Sequence, residues 1–366
     1  MKKILCLYVV VAITLALTSS PLWGAAGPKK HMGVQVYSVK GFETDVPGSL
    51  KALADEGYAV LEIANYDANT GLVAGYKPAE FASLVKKYGM EVISSHARAK
   101  FDVKDESGTL AACGKVFDDH KLMGCKYVVF PMNMWAGTLE GVKAECDLMN
   151  KIGDEANKRG IKFGYHNHNL EFATLAKTDQ LYEDVLIANT SPDKVFFEMD
   201  VYWITIGGQD PVAYLKKYPT RFQALHIKDE YVVGATGKIN YQDIFNQFYK
   251  NGYQDWFVEM EGKMTKEQHD QSMAMMDAMK KTQAEGGTMK DMMDLMAKNQ
   301  PKPDQKAVSQ GNDPGKDPGK DAKSGQGAPP PGFGPKDPKV VAEELKTSLQ
   351  GLKESADYLL KSDFVK

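Results

Sequence analysis

Cysteine is scarce in this chain: four in 366 residues. Once an N-terminal leader is set aside, Cys113, Cys125 and Cys146 remain, an odd number without metal-ligand spacing, and buried thiols are the simplest reading. Charge of one sign is also lacking. The formal net charge is −3 with 25% charged residues, and nothing marks nucleic acid as a main partner. No glycine-rich fingerprint follows the first apolar run, which counts against a dinucleotide-binding fold. Long hydrophobic runs are missing too. The longest candidate, Ile4 to Leu17, has about 14 residues, short of the roughly 18 to 20 that cross a bilayer.

That stretch follows Lys2 and Lys3 and precedes Gly24-Ala25-Ala26, small residues of the kind signal peptidase accepts. Residues 1–26 are therefore expected to be a cleaved secretory signal, giving a periplasmic or secreted protein with no stable membrane span. Cys6 lies too close to Met1 to be a lipidation cysteine.

What the chain does have is a repeated alternation of short apolar runs and amphipathic stretches. The runs are Gly33–Val39, Tyr58–Asn65, Glu91–Arg98, Lys126–Met132, Lys162–His168, Val195–Asp200, Phe222–Asp229 and Asp255–Glu261. Helices are expected near Ser49–Glu56, Pro78–Tyr88, Thr109–Leu122, Leu139–Arg159, Asp179–Ala188, Pro211–Lys217 and Tyr241–Lys250. Several end in a glycine that introduces the next run, as at Gly57, Gly124 and Gly252, the residue type favoured just past a helix C-terminus. Eight strand–helix repeats predict an α/β fold of the (β/α)8 TIM barrel type, better than an open doubly wound sheet. The barrel is expected to take residues 27–262 and 337–366.

The pattern breaks at 263–336. Residues 264–299 read as two helices parted at Gly286-Gly287. Met273, Met276 and Met279, then Met289, Met292, Met293 and Met296, fall at helical spacing. Such thioethers serve adaptable packing, with copper(I) binding as the alternative. Residues 301–336, with DPGKDPGKDAK and APPPGFGP, are too poor in apolar side chains to offset the entropy of ordering and are expected to be disordered. Order should return at Asp337-Pro338, with Val341, Leu345, Leu349, Leu352, Leu359 and Leu360 as the stripe of the displaced eighth helix.

In a β/α barrel the strand C-termini face the active site, so the polar residues ending the later runs, His166, Asp200, His226 and Glu259, should converge. Carboxylates and imidazoles around one pocket suit a divalent metal. Glu62 and His96, ending strands two and three, should face the same mouth. Lys228 is two residues past His226 and shares its strand face. Tyr202 and Trp203 follow Asp200, where an aromatic face can stack on a sugar ring. Gln35 and Tyr37 alternate on the first strand and are expected on the pocket floor.

Through GVQVYSVK, GYAVLEIA, SSHA, GIKFGYHNHNLEF, MDVYWITIGGQDPVAYLKKYP, LHIKD and FVEME, the chain resembles the sugar phosphate isomerase/epimerase family with its xylose-isomerase-like barrel. The resemblance implies one divalent ion, manganese, cobalt, magnesium or zinc, held by residues of strands five to eight. Asp200, His226 and Glu259 match the sixth to eighth. Glu171, folding back from the following loop, is the expected fifth-strand ligand, with His166 as the alternative. On the first choice His166 and His168 are left for substrate or proton transfer, joined by Lys228, Glu62 and His96.

The implied activity is proton abstraction next to a carbonyl of a non-phosphorylated sugar or keto-sugar, ending in isomerisation or epimerisation. A 3-keto-glycoside lyase that expels the aglycone by β-elimination is the runner-up. A carbohydrate-binding barrel without turnover is a third reading, against which the full set of Asp200, His226 and Glu259 speaks. Phosphodiester cleavage in DNA would need further metal-binding histidines, and Trp203 stands where one would be expected. A homo-oligomer is left open.

Overall fold

The computed structural model describes residues 30–131, 137–287 and 337–366, with scattered positions between 291 and 298. The expected signal segment, the expected disordered stretch 301–336, Met132, and Met289, Met292, Met293 and Met296 lie outside the described residues.

Eight parallel strands form the barrel: β1 (Gly33–Gln35), β2 (Val60–Ile63), β3 (Glu91–Ser95), β4 (Tyr127–Phe130), β5 (Lys162–His166), β6 (Val195–Asp200), β7 (Phe222–Ile227) and β8 (Asp255–Val258). Hydrogen-bonded pairing runs β3-β2-β1-β8-β7-β6-β5-β4. The remaining seam is drawn together by Lys126 N donating to Ile93 O at 2.8 Å and Ala97 N to Val129 O at 3.0 Å. Parallel strands need long crossovers, and helices supply them: α1 (Val46–Asp55), α2 (Pro78–Lys87), α3 (Glu106–Met123), α4 (Leu139–Asn157), α5 (Tyr182–Asn189), α6 (Val201–Ile206), α7 (Pro211–Lys217) and α8 (Tyr241–Lys250). α9 (Lys266–Ala284) and α10 (Pro338–Lys361) complete the described helices.

The first strand is shorter than expected, because after Gln35 the chain turns into a 3-10 turn, Val36–Ser38, in which the Tyr37 N–H donates to the Gln35 side chain. Two further elements were not foreseen, a hairpin pairing Tyr66–Asp67 with Leu72–Val73 and the one-and-a-half-turn α6 directly after β6.

Side chains alternate across a strand, so each strand sends one set into the lumen and the other against the helices. The outer set joins the helices in the main core. The lower lumen holds a separate apolar cluster, Val60, Ile93, Tyr127, Val129, Phe196, Ala224 and Phe257, drawn from six strands. Two glycines make room for its largest members. A Cβ on Gly164 would lie 2.5 Å from the Phe196 ring, and one on Gly33 would lie 2.3 Å from the Trp256 carbonyl and 2.7 Å from the Phe257 ring.

The register of β2 against β3 skips Ile93, a bulge that lets Ile93 serve the lower lumen while Ser94 still reaches Glu62 above it. Cys113, Cys125 and Cys146 are free and buried. α10 packs Leu352, Ala356 and Leu359 into the core and receives the Tyr58 hydroxyl on Leu352 O at 3.0 Å. α9 rests on the loops that follow β5 and β6. Met276 and Met279 pack against the core, Gln283 Nε2 donates to Leu170 O at 3.2 Å, and Lys280 Nζ donates to Gly207 O at 3.4 Å. Among the described residues no helix is long and apolar enough to cross a membrane.

Candidate active site

Above the apolar plug, the upper lumen is filled with charge. His166 ends β5, Asp200 ends β6, His226 is the fifth residue of β7 and Glu259 follows β8, and their ligand atoms all lie within 4.8 Å of one another. All four are buried. A second, overlapping set joins His166 and His226 to His96 and Glu198 within the same limit. Strand register explains the convergence: Asp200 pairs with His226 and His166 with Glu198 across adjacent ladders.

The hydrogen bonds show how each group is held. His226 sits between carboxylates, its Nδ1 against Glu259 and its Nε2 against Glu62 and, at 3.1 Å, Glu198. Glu62 is oriented by Gln35 Nε2 at 2.8 Å and Ser94 Oγ at 2.6 Å. His96 Nε2 meets Glu198 at 2.7 Å. Lys228 donates to Glu259 at 2.9 Å and Glu261 at 2.6 Å and stands 4.0 Å from Asp200. Asp200 caps α6, its Oδ1 accepting from Tyr202 N at 2.9 Å and Trp203 N at 2.8 Å. The other oxygen, Oδ2, is the one Lys228 faces and is buried without a hydrogen-bond partner, as are Glu198 Oε1, His168 Nδ1 and Trp203 Nε1.

Burial raises the carboxyls of Asp200 and Glu198 to about 7, with repulsion from Glu62 adding to the second. Burial works against charge on Lys228 and His226, but the surrounding carboxylates outweigh it and hold both above their ordinary values. Burial, followed by the charge of Lys228, lowers His168 to about 4, so its ring is neutral near pH 7. Five carboxyl groups, Glu62, Glu198, Asp200, Glu259 and Glu261, thus face one lysine and a cluster of imidazoles. Buried acid in such excess suits a cation, and the orphaned Asp200 oxygen gives it a place to bind. The donors are mixed nitrogen and oxygen, compatible with zinc, cobalt or manganese more than with calcium.

Two expectations from the sequence need correction. Glu171 does not join the set. It lies on the 3-10 turn Leu170–Phe172, and its carboxylate accepts from the Tyr165 hydroxyl at 2.6 Å and His168 N at 2.9 Å. Tyr165 points away from the lumen, because its neighbours Gly164 and His166 point into it, so Glu171 is fixed on the helix side of β5. His166 occupies the fifth-strand place instead.

Tyr37 is not on the pocket floor. It stands 47% exposed at the rim, its hydroxyl on Glu261 at 3.1 Å and Lys40 Nζ 3.4 Å from its ring centroid. Gln35 is fully buried and braces Glu62.

The other named residues do gather. His168 packs its ring 4.9 Å from that of His166 and 6.0 Å from Trp203, and Lys228 Nζ lies 5.0 Å from the Trp203 ring centroid. Tyr202 stands behind Trp203 and reaches toward His269 of α9, hydroxyl to Nε2 3.5 Å. Glu198 and Ser94 were missed. The signal for Glu198 was available, since it precedes Asp200 by two residues and must share its face.

Residues 50–281 match the family of the xylose isomerase-like TIM barrel. The chain belongs to this family. A solved relative, a sugar phosphate isomerase/epimerase from Parabacteroides distasonis ATCC 8503, is 29% identical with a TM-score of 0.66, covering 92% of this chain and all of that one. An L-ribulose 3-epimerase shares the fold at 15% identity and a TM-score of 0.51, over 66% of this chain and 86% of that one. Inosose dehydratase of Clostridium tetani (strain Massachusetts / E88) is 26% identical over 133 residues, 30% of this chain and 43% of that protein. The chain therefore spans less than half the length of that curated relative.

Proposed function

We propose that this chain is an exported, metal-dependent enzyme that removes a proton next to the carbonyl of a non-phosphorylated sugar or keto-sugar and returns it to give an isomer or epimer. The observation that carries the reading is the buried convergence of His166, Asp200, His226 and Glu259 beside Lys228, with Asp200 Oδ2 accepting no hydrogen bond and facing Lys228 Nζ 4.0 Å away. Asp200, His226 and Glu259, with His166, would hold one divalent ion. When bound, that ion supplies Lewis acidity toward a carbonyl and a neighbouring hydroxyl oxygen and so acidifies the adjacent C–H.

The chain's own residues do the rest. Lys228, kept charged by Glu259 and Glu261, faces negative charge as it develops on oxygen. His168, neutral and with Nδ1 free of partners, is placed to take up a proton. Trp203 offers an apolar face beside both. Export rests on the leader-like N-terminus, and it favours a substrate without phosphate, since sugar phosphates are largely cytoplasmic.

Elimination is the second reading, favoured by the similarity to a protein named as a dehydratase. In a 3-keto-glycoside, loss of the C2 proton and departure of the aglycone from C1 would leave an unsaturated keto-sugar. The deciding experiment incubates metal-loaded and chelated mature protein with ketoses and with 3-keto-glycosides in deuterated water, followed by NMR. Metal-dependent exchange with a rearranged sugar supports the first reading, and aglycone release supports the second. An absence of exchange with every substrate would overturn both and favour a binding protein.

A further inference from the structure

Glu261 belongs to two spaces at once. Its Oε1 accepts from Lys228 at 2.6 Å at the edge of the lumen, and its Oε2 accepts from the Tyr37 hydroxyl at 3.1 Å on the rim. Tyr37 and Glu261 both line a cavity of about 520 Å³ between the 3-10 turn after β1 and the helix α10. A second cavity of about 310 Å³ adjoins it, sharing Tyr231, Lys263, Glu343 and Thr347. Both fall within the roughly 300–1,000 Å³ typical of small-molecule sites. A groove thus leads from the mouth outward along α10, and none of the residues proposed to hold the ion or to move a proton lines it.

The walls are tied before any ligand arrives. Lys40 N donates to Ser348 Oγ at 3.1 Å, and the Tyr231 hydroxyl donates to Thr347 O at 2.9 Å, so the turn after β1 and the loop after β7 are each fastened to α10. Walls fixed in this way lose little entropy when the groove fills. The lining selects among ligands. Lys40 and Lys263 stand with Glu261, Glu343 and Glu344, so neither sign prevails as it would at a site for an anion such as phosphate. Ammonium groups donate and carboxylates accept, a mixture that suits the neighbouring hydroxyls of a neutral sugar. Tyr37, 47% exposed, and the exposed Val340 supply apolar surface for the C–H face of such a ring. A wholly apolar aglycone would instead desolvate the charged groups without replacing their hydrogen bonds.

We propose that this groove is a subsite for a second sugar unit. Resting on the proposed reading of the lumen, the subsite names the class of substrate: a glycoside of two or more rings, whose keto-sugar enters the lumen while the neighbouring unit lies along α10. Glu261 marks the junction, held by Lys228 on one side and by Tyr37 on the other.

The test compares one ring with two. Metal-loaded, full-length mature protein is given 3-keto-glucose and the 3-keto derivatives of maltose and cellobiose, and exchange and product release are followed by NMR in deuterated water. Thr347→Trp puts an indole where the two cavities meet and keeps the backbone oxygen that Tyr231 uses; Val340→Asp removes apolar surface from the inner cavity. Both variants are checked by circular dichroism. At least one disaccharide is expected to show kcat/KM roughly tenfold or more above that of 3-keto-glucose, chiefly through KM, and Thr347→Trp should erase that gain while the one-ring value stays within about twofold. If Thr347→Trp does not fold, Val340→Asp carries the same comparison with a smaller loss. Equal values for one and two rings in the wild type, a gain that survives in the folded variants, or equal losses on both substrates would overturn the subsite and leave the proposed function standing. Absence of exchange on every substrate would overturn the proposed function, and the groove is then judged by binding alone. Saturation-transfer NMR with unoxidised maltose and cellobiose should show contact in the wild type and lose it in the folded variants. Transfer absent from the wild type, or unchanged in those variants, would overturn the subsite too.

Discussion

The same eight strands build two opposite interiors. In the lower lumen Val60, Ile93, Tyr127, Val129, Phe196, Ala224 and Phe257 form an apolar plug. One or two residues further along most of those strands, Glu62, Ser94, Glu198, His226 and Glu259, joined by the slightly exposed His96, fill an adjoining space with acid and imidazole. The plug lowers the free energy of folding by removing apolar surface from water. The charged layer works against folding, because each ion loses its hydration and regains it only in part from neighbours. A barrel that spends its upper half this way is stabilised below and specialised above, and the two layers should respond differently to substitution.

The sharpest break comes from the upper layer. Asp200→Asn keeps the α6 cap but removes a charge from the proposed ion, and turnover is expected to fall on the order of a thousandfold, equivalent to about 4 kcal/mol. Steady-state kinetics of wild type and variant with the metal supplied, and the unfolding midpoint with the metal removed, should show activity lost and stability little changed. In the lower layer the pattern inverts. Phe257→Ala should lower unfolding free energy by about 3–5 kcal/mol through lost burial and an unfilled cavity. Chemical denaturation measures this, and the remaining folded protein should still bind metal. A variant of Phe257 that abolished metal binding while folded would erase the distinction between the layers.

Much of the upper layer was legible because buried parallel strands leave a clear trace: apolar runs whose only polar residues come where the strand meets the mouth. That is why Asp200, His226 and Glu259 could be named from sequence. Glu198 escaped because it lies inside the run VFFEMD, where hydrophobic neighbours mask it; the two-residue period, applied strictly, would have found it.

Glu171 misled for the opposite reason. It is close to His166 in sequence, but the Tyr165 hydroxyl holds it on the other face of the strand. α6 was unforeseen because VYWITI is rich in β-branched and aromatic residues, and it becomes helical only because Asp200 caps it and the strand has ended. The bulge at Ile93 leaves no mark in composition, since it is a matter of pairing with β2.

Outside the lumen the contrast can be probed with a single buried histidine that has no metal to meet. His120 of α3 is fully buried, its Nδ1–H donating to Val116 O at 2.6 Å and its Nε2 accepting from the Ser95 hydroxyl at 2.8 Å. Burial lowers its pKa to about 4. The unfolded chain takes up the proton near pH 6.5, so the unfolded state binds more protons between about 4 and 6.5. Stability from this residue is complete above that window and is lost as pH falls through it, by about 3 kcal/mol at the acid end. Denaturant titrations from pH 7 to 4.5 should show the wild type losing more stability than His120→Gln. Equal slopes would mean that the ring is charged in the folded state.

The mildest test returns to the plug and asks how tightly it is packed. Gly164 and the Phe196 ring are complementary, one giving the space the other takes. A methyl at Gly164 would sit 2.5 Å from the ring, and the surrounding cluster, closed by Tyr127 with its centroid 5.1 Å from that of Phe196, leaves the ring little freedom to retreat. Gly164→Ala is therefore expected to destabilise by about 1–3 kcal/mol through overpacking, despite alanine's lower backbone entropy in the unfolded state. The double variant Gly164→Ala with Phe196→Leu separates the causes. If crowding is the cause, the smaller side chain should recover part of the loss contributed by the alanine. If the glycine matters only for its backbone, the two losses should add.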